Sequence, residues 1–242
     1  MAIFTIADLH LSTLASTNKS MEVFGRRWDH YTERLKANWE RVVGEDDTVI
    51  VGGDISWALS LEEALSDLTF IDALPGRKIL LKGNHDFWWC TMQKHRLFFE
   101  AHGIRTISFL FNNAHDVGPY IVAGTRGWFQ DDDAPSVNGA DAEKIQNREL
   151  LRLRTSLSEA VRLREASEDK EREILVFTHF PPLWADREWT PFLDVLEEFG
   201  IRRVFFGHIH GQYAIPPVMT ARNIEFHLVS ADFLDFLPKI IH

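Results

Sequence analysis

The chain has 242 residues, a net charge of −10 and 45% hydrophobic residues, a length that buries a sizeable core and that we read as one large domain over residues 1–242. Basic residues occur only in short clusters such as Arg26-Arg27 and Arg202-Arg203, which speaks against a non-specific nucleic-acid binder, because such a protein carries a basic stripe. Cys90 is the single cysteine; an intramolecular disulfide is excluded, and a reducing compartment is favoured.

The N-terminal "MAIFTIADLH" lacks a basic segment followed by an apolar one and a small-residue cleavage site. It reads as a first strand over 3–7, not as a signal peptide. No apolar run approaches a membrane span, so no membrane partner is expected and the predicted location is cytoplasmic. From Trp28 to Val43, apolar residues at 28, 31, 35, 39, 42 and 43 give one helical face. "TVIV" at 48–51 is the second strand. Ser60, with Glu63 three residues on, opens a helix as a capping box, and positions 61, 64, 65, 68 and 71 form its buried face. "KILL" at 78–81 is the third strand. A helix over about 91–102 and strand-like runs at 104–111 and 119–123 follow. Residues 126–140, with "DDD" at 131–133, Pro135 and Gly139, read as a loop. A long charged helix near 141–168 carries an apolar stripe of Leu150, Leu153, Leu157 and Val161; its charges form a solvated face. "EILVF" at 173–177 is a strand. Thr190-Pro191 opens the last helix, which Gly200 closes. "RVFF" and "IEFHLV" are the last clear strands. No repeat or flexible linker interrupts this alternation, which argues for an α/β fold.

The polar residues are concentrated where strands end. "IFTIA" runs into Asp8-Leu9-His10, "TVIVGG" into Asp54, "KILLKG" into Asn84-His85-Asp86, "EILVFT" into His179, and "RVFFG" into His208-Ile209-His210. In open α/β sheets ligands bind at that carboxyl edge. One such group alone is more often a cap or a turn; five together, holding five of the eleven histidines, point to a site. Aspartates, imidazoles and one amide suit Mn, Fe, Zn or Co. The set exceeds what one ion needs. Two ions with a shared carboxylate use it fully; such a pair clamps a phosphate and generates hydroxide for in-line attack.

Asp8-x-His10, Gly53-Asp54, Gly83-Asn84-His85-Asp86, His179 and Gly207-His208-x-His210 resemble, in the same order, the five blocks of the calcineurin-like metallophosphoesterases, and they span residues 8–210. The resemblance is to a bacterial subgroup of phosphohydrolases. It implies an α/β/β/α sandwich of four layers, two mixed sheets flanked by helices, with a dinuclear site at its top edge. It assigns Asp8, His10 and His210 to one divalent transition metal, Asn84, His179 and His208 to the other, and Asp54 to both. His85 is left off the metals to protonate the leaving group or steady the transition state. Asp86 either orients the His85 ring or caps the turn. Protein Ser/Thr phosphatases of this superfamily have an Arg after the second block and Gly-Asn-His-Glu in the third; "GDISWALS" and Asp86 depart from both.

The expected activity is therefore hydrolysis of a phosphorylated small molecule or nucleotide by a metal-dependent phosphoesterase. A phosphodiesterase or nuclease is the alternative, disfavoured by the net charge. A non-catalytic scaffold would have lost ligands, and none is missing. A nucleotide-binding α/β domain would need a Gly-rich phosphate loop, and neither G-x-G-x-x-G nor G-x-x-x-x-G-K-[ST] occurs. Specificity falls to the loops: residues 11–28 with Lys19, Arg26 and Arg27; the turn around Trp57; Trp88-Trp89; and residues 124–133. Arg126 is the candidate phosphate contact, its fork suiting two oxygens, against a surface ion pair. Trp57, Trp88, Trp89 and Trp128 either stack on a planar substrate or pack.

Overall fold

The computed structural model describes residues 1–13, 21–128, 139–185 and 187–242, with only the backbone of 139 and 140. Lys19, the acidic run 131–133 and Pro135 lie outside these residues. In chain order the elements are β1 (Ile3–Ile6), α1 (Tyr31–Val42), β2 (Thr48–Val51), α2 (Leu65–Ala73), β3 (Arg77–Leu80), α3 (Met92–His102), β4 (Ile107–Phe109), β5 (His115–Asp116), β6 (Tyr120–Thr125), α4 (Gly139–Ala166), β7 (Glu173–Thr178), β8 (Leu183–Trp184), β9 (Arg187–Glu188), α5 (Thr190–Glu198), β10 (Arg203–Phe206), β11 (Val218–Ala221), β12 (Ile224–Leu228) and β13 (Lys239–Ile241).

The strands are apolar on both faces because both faces are covered. Side chains alternate along a strand. Thus Phe4, Ile6, Val49, Val51 and Leu80 pack with Leu35, Trp39, Leu68, Ile71 and Phe99 of α1, α2 and α3. Ile174, Val176, Val204 and Phe206 pack with Leu153, Leu157, Phe192 and Leu193 of α4 and α5. The intervening residues Ile3, Ile50, Ile79, Leu175, Phe177 and Phe205 meet between the sheets. The result is a four-layer α/β/β/α sandwich. One sheet runs β13-β1-β2-β3-β4 and the other β11-β12-β10-β7-β6-β5. Each has a parallel centre, and β13, β11 and β5 are antiparallel edges.

The expected capping box closes a turn ahead of α2 and does not cap it: Ser60 Oγ accepts from Glu63 N at 3.2 Å and Glu63 Oε2 from Leu59 N at 2.9 Å, while α2 begins at Leu65 after Ala64, which gives no side-chain cap. The first helix starts later than its periodicity suggests, because His30 adopts a left-handed φ of 52° and Arg26–Trp28 form a 3-10 turn. The helix expected near 141–168 spans 139–166, and of the run 104–111 only Ile107–Phe109 pairs. Five strands have no clear signal in the sequence: the two-residue β5, β8 and β9, and the edge strands β11 and β13. β13 is three residues long, beginning just after Pro238. β11 joins β12 through Arg222-Asn223, both at positive φ; that is a tight hairpin turn without the Asn-Gly that announces one.

The two sheets meet directly beneath the site. Ala7, just past β1, bridges Ser230, just past β12. Ala7 N donates to Val229 O and Ala231 N to Ala7 O, each at 2.8 Å. This join brings the carboxyl ends of β1, β2 and β3 against those of β7, β10 and β12. Among the described residues no helix is long and apolar enough to cross a membrane.

Candidate metal centre

The chain leaves its strands in strained turns at this edge. Asp8, His10, Asp54 and His208 all have positive φ, at 60°, 44°, 49° and 70°. Side-chain-bearing residues rarely occupy that region, and each such residue costs on the order of 1–3 kcal/mol. The flanking glycines give the room. A Cβ on Gly83 would lie 2.1 Å from Asp54 Oδ1, and one on Gly207 would lie 2.4 Å from Asp8 Oδ2. Strands of both sheets are thereby held within side-chain reach of one another.

Two groups of ligand atoms result. Asp8, His10 and His210 form the first, and Asp8, Asp54 and His179 form the second. His10 Nε2 and His210 Nε2 are 3.2 Å apart, and His210 Nε2 is 3.6 Å from Asp8 Oδ1. Asn84 Oδ1 lies 2.6 Å from His179 Nε2 and 3.1 Å from His208 Nδ1. Asp8 belongs to both groups, its Oδ1 3.6 Å from His210 Nε2 and 3.7 Å from His179 Nδ1, and Asp54 Oδ2 of the second group also reaches toward the first, 3.7 Å from His10 Nε2 and 3.5 Å from His179 Nε2. All seven residues expected as ligands thus converge.

Neighbouring groups aim the rings. His179 Nδ1 is 3.1 Å from Gly52 O, which turns Nε2 toward Asn84 and Asp54. His210 Nδ1 is 2.9 Å from Asp232 Oδ1, which turns Nε2 toward Asp8. Partners of this kind fix the tautomer of a metal-binding imidazole. Asp232 also accepts from Gly211 N and from the Tyr213 hydroxyl, both at 3.0 Å. Sequence reasoning passed it over, yet the signal was present: Asp232 follows "IEFHLV" as the other site residues follow their strands.

Burial governs the protonation of these groups. It pushes the Asp54 carboxyl well up, with Asp86 and Asp8 adding to the effect. It pushes His10 and His179 well down, so both are neutral, the form that binds metal. Burial opposes the charged form of His210 too, but the Asp8 and Asp232 carboxylates outweigh it and push that ring up to about 10. The set fits a divalent cation. Among the described residues two buried carboxylates face imidazoles with no Lys or Arg in ion-pair distance, and His10 Nδ1 is buried with no partner.

His85 stands apart. Its side chain is 38% exposed, against 1% for Asp54. Its Nε2 lies 4.0 Å from Asp54 Oδ2, while its backbone N donates to Asp54 Oδ1 at 2.8 Å. It borders an apolar cleft of about 320 Å³ with His10, Trp28, Trp57, Phe24 and Tyr213. Trp57 lies against both His10 and His85, with ring centres at 4.8 and 4.5 Å.

Asp86 is placed as an anchor for the turn, not as the orienting partner of the His85 ring. Its oxygens accept from Gly83 N at 2.7 Å, Ile55 N at 2.8 Å, Ser56 N at 3.2 Å and Trp88 Nε1 at 3.0 Å. Trp88 is core, 2% exposed, and Trp89 packs on His95 and Phe109. Replacing Asp86 with Ala strands four buried donors, each worth about 1–3 kcal/mol. The expected loss is about 4 kcal/mol, which lowers the melting temperature by roughly 10 °C; a thermal melt checks it.

Arg126 does not contact the ligand side chains. Its main-chain oxygen accepts from His179 N at 3.1 Å and Phe180 N at 2.9 Å. Its guanidinium lies 5.8 Å from the centre of the Phe180 ring and lines a separate cavity. Trp128 is half-buried, 6.4 Å from Phe180 between ring centres.

Comparison with known proteins gives three kinds of match. A family model described as calcineurin-like phosphoesterase matches residues 1–212. Gene 66 protein of Mycobacterium phage L5 is 43% identical over 58 residues, which are 24% of this chain and 28% of that protein. The chain therefore spans under a third of that relative's length. Among solved structures, phosphopantetheinyl hydrolase (PptH) of Mycobacterium tuberculosis is similar with a TM-score of 0.55 at 16% identity, over 99% of this chain and 95% of that one. TT1561 of Thermus thermophilus is similar with a TM-score of 0.57 at 9% identity, over 96% and 89%. At these identities the two structures show the fold alone.

Proposed function

The chain belongs to the calcineurin-like phosphoesterase family, and we propose that it is a metal-dependent phosphoric ester hydrolase acting on a phosphorylated small molecule, that its centre is dinuclear, that Asp54 is the shared ligand and that His85 is the proton donor. The observation that carries this reading is the position of Asp54 Oδ2, 3.7 Å from His10 of one group and 3.5 Å from His179 of the other. Asp8, His10 and His210 would hold one ion; Asn84, His179 and His208 would hold the second. When bound, such a pair supplies a nucleophile at neutral pH and neutralises the phosphoryl oxygens. Mn, Fe, Zn and Co all suit the donor set.

The protein's own residues do the rest. Gly52 O and Asp232 keep the His179 and His210 rings in register. His208 N, 3.0 and 2.9 Å from the two Asp8 oxygens, fixes that carboxylate. His85 faces the cleft in which a leaving group would rest; an imidazolium there gives its Nε2 proton to the departing oxygen. Trp57 and Trp28 exclude water from that side, which keeps the proton transfer within the site.

The test is metal analysis combined with hydrolysis of an aryl phosphate and of its bis-aryl diester, with and without chelator. The expected result is about two divalent ions per chain, loss of turnover in chelator and recovery on adding metal. Full activity in chelator would overturn the mechanism. A preference for the diester would make the enzyme a phosphodiesterase.

A further inference from the structure

Beside the metal centre lies a cavity of about 340 Å³ lined by Lys82, Arg126, Arg148 and Arg152, with Trp89 and Cys90 in its wall. Among the described residues one carboxylate lies within ion-pair distance of any of these four cations. Glu149 is fully buried, accepts from Thr125 Oγ1 and Arg152 Nη1, each at 2.6 Å, and lies 3.9 Å from Arg148 Nε. It balances one positive charge. Arg126 Nε is buried without a hydrogen-bond partner among the described residues, and Lys82 has no carboxylate within ion-pair distance among them. Cations left uncompensated in a cavity call for an anion.

The cavity and the centre share two chain segments. Lys82 immediately precedes Gly83-Asn84, and the Arg126 main chain is bonded to His179. We propose that this cavity binds a second phosphate group of the substrate, remote from the phosphorus that reacts at the metals. The substrate is then a small molecule bearing two phosphates, a bisphosphate or a diphosphate. Guanidinium forks from Arg126 and Arg148 meet phosphate oxygens in pairs, and Lys82 adds a point charge. The substrate clause rests on the hydrolase reading above; the anion site itself does not.

The single cysteine makes the cavity testable without turnover. Cys90 of the metal-loaded protein is alkylated with iodoacetamide while inorganic phosphate is titrated against chloride at equal ionic strength. At ten times its dissociation constant, phosphate slows alkylation about tenfold. In K82M/R148M the concentration needed rises by about tenfold to a hundredfold, the worth of one charged hydrogen bond or more. An unchanged alkylation rate, or equal protection in the double variant, would overturn the proposal. D131N/D132N/D133N is run alongside, because that acidic run follows Arg126 in sequence. Protection confined to this variant would make the run the occupant and overturn the proposal. The last arm compares kcat/KM for an alkyl bisphosphate with that for an aryl monophosphate. The expected ratio falls at least tenfold in K82M/R148M; a constant ratio would overturn the substrate assignment. Protection of Cys90 without hydrolysis of either compound would overturn the hydrolase reading and leave the anion site standing.

Discussion

Asp54→Asn lowers kcat/KM at least about a thousandfold and takes metal content from about two ions per chain to one or none. The size follows from position. Removing one group that stabilises charge at a reacting centre costs about 10²–10³, and a ligand that weakens two ions adds the loss of occupancy. Asn keeps the oxygen that accepts from His85 N, so the local turn survives. The sign of the stability change separates this from misfolding. Burial, Asp86 and Asp8 raise the Asp54 carboxyl above its unfolded value in the metal-free protein. A carboxyl whose folded pKa is raised is destabilising once the unfolded chain ionises, hence at neutral pH. Asn removes that charge. Metal-free D54N therefore melts at the same temperature as the parent or higher, while the rise in melting temperature on adding metal shrinks. A variant with normal metal content would show that Asp54 is not shared.

His85→Asn has the second largest effect, and its size depends on the leaving group. Proton donation in the transition state is worth about 10²–10⁴. An alkyl phosphate, whose oxygen leaves poorly without a proton, loses about that much. A nitrophenyl phosphate, whose oxygen leaves as a stable anion, loses about tenfold or less. Metal content stays at the parent value, because His85 Nε2 approaches Asp54 no closer than 4.0 Å and its ring opens to the cleft. Equal losses on both substrates would make His85 a charge stabiliser, and a loss of metal would make it a ligand. Measuring both substrates with metal analysis distinguishes the three.

Much of this site is legible in the order of residues, for a physical reason. A parallel strand delivers whatever follows it to one edge of a sheet. Asp8, Asp54, Asn84, His179 and His208 each follow an apolar run, so their convergence can be read without coordinates. The layers are legible too. Strands apolar on both faces, separated by helices with one apolar stripe, leave few arrangements other than covered sheets. Asp232 obeys the same rule, three residues past the end of "IEFHLV".

Asp86 marks where local reading stops. Asn84-His85-Asp86 looks like three residues serving one site, but adjacent residues point in different directions once the backbone turns. Asn84 faces the imidazoles, His85 the cleft, and Asp86 the backbone of Ile55 and Ser56, some thirty residues away. Trp88 and Trp89 part in the same way, one to the core and the other to the wall of the cationic cavity. That cavity has no signature in the chain. Lys82, Arg126, Arg148 and Arg152 come from a strand end, a second strand end and a helix; Arg126 alone stands out as a phosphate contact, and the other three read as ordinary surface charges. The sequence by itself determined the alternating α/β order and the strand ends that carry the candidate ligands, because strand ends and side-chain alternation are local; the two-sheet sandwich was implied by the family resemblance of those residues. Only the tertiary structure decided which groups face one another across the sheets, because the Ala7–Ser230 join that brings them together is made between segments more than two hundred residues apart.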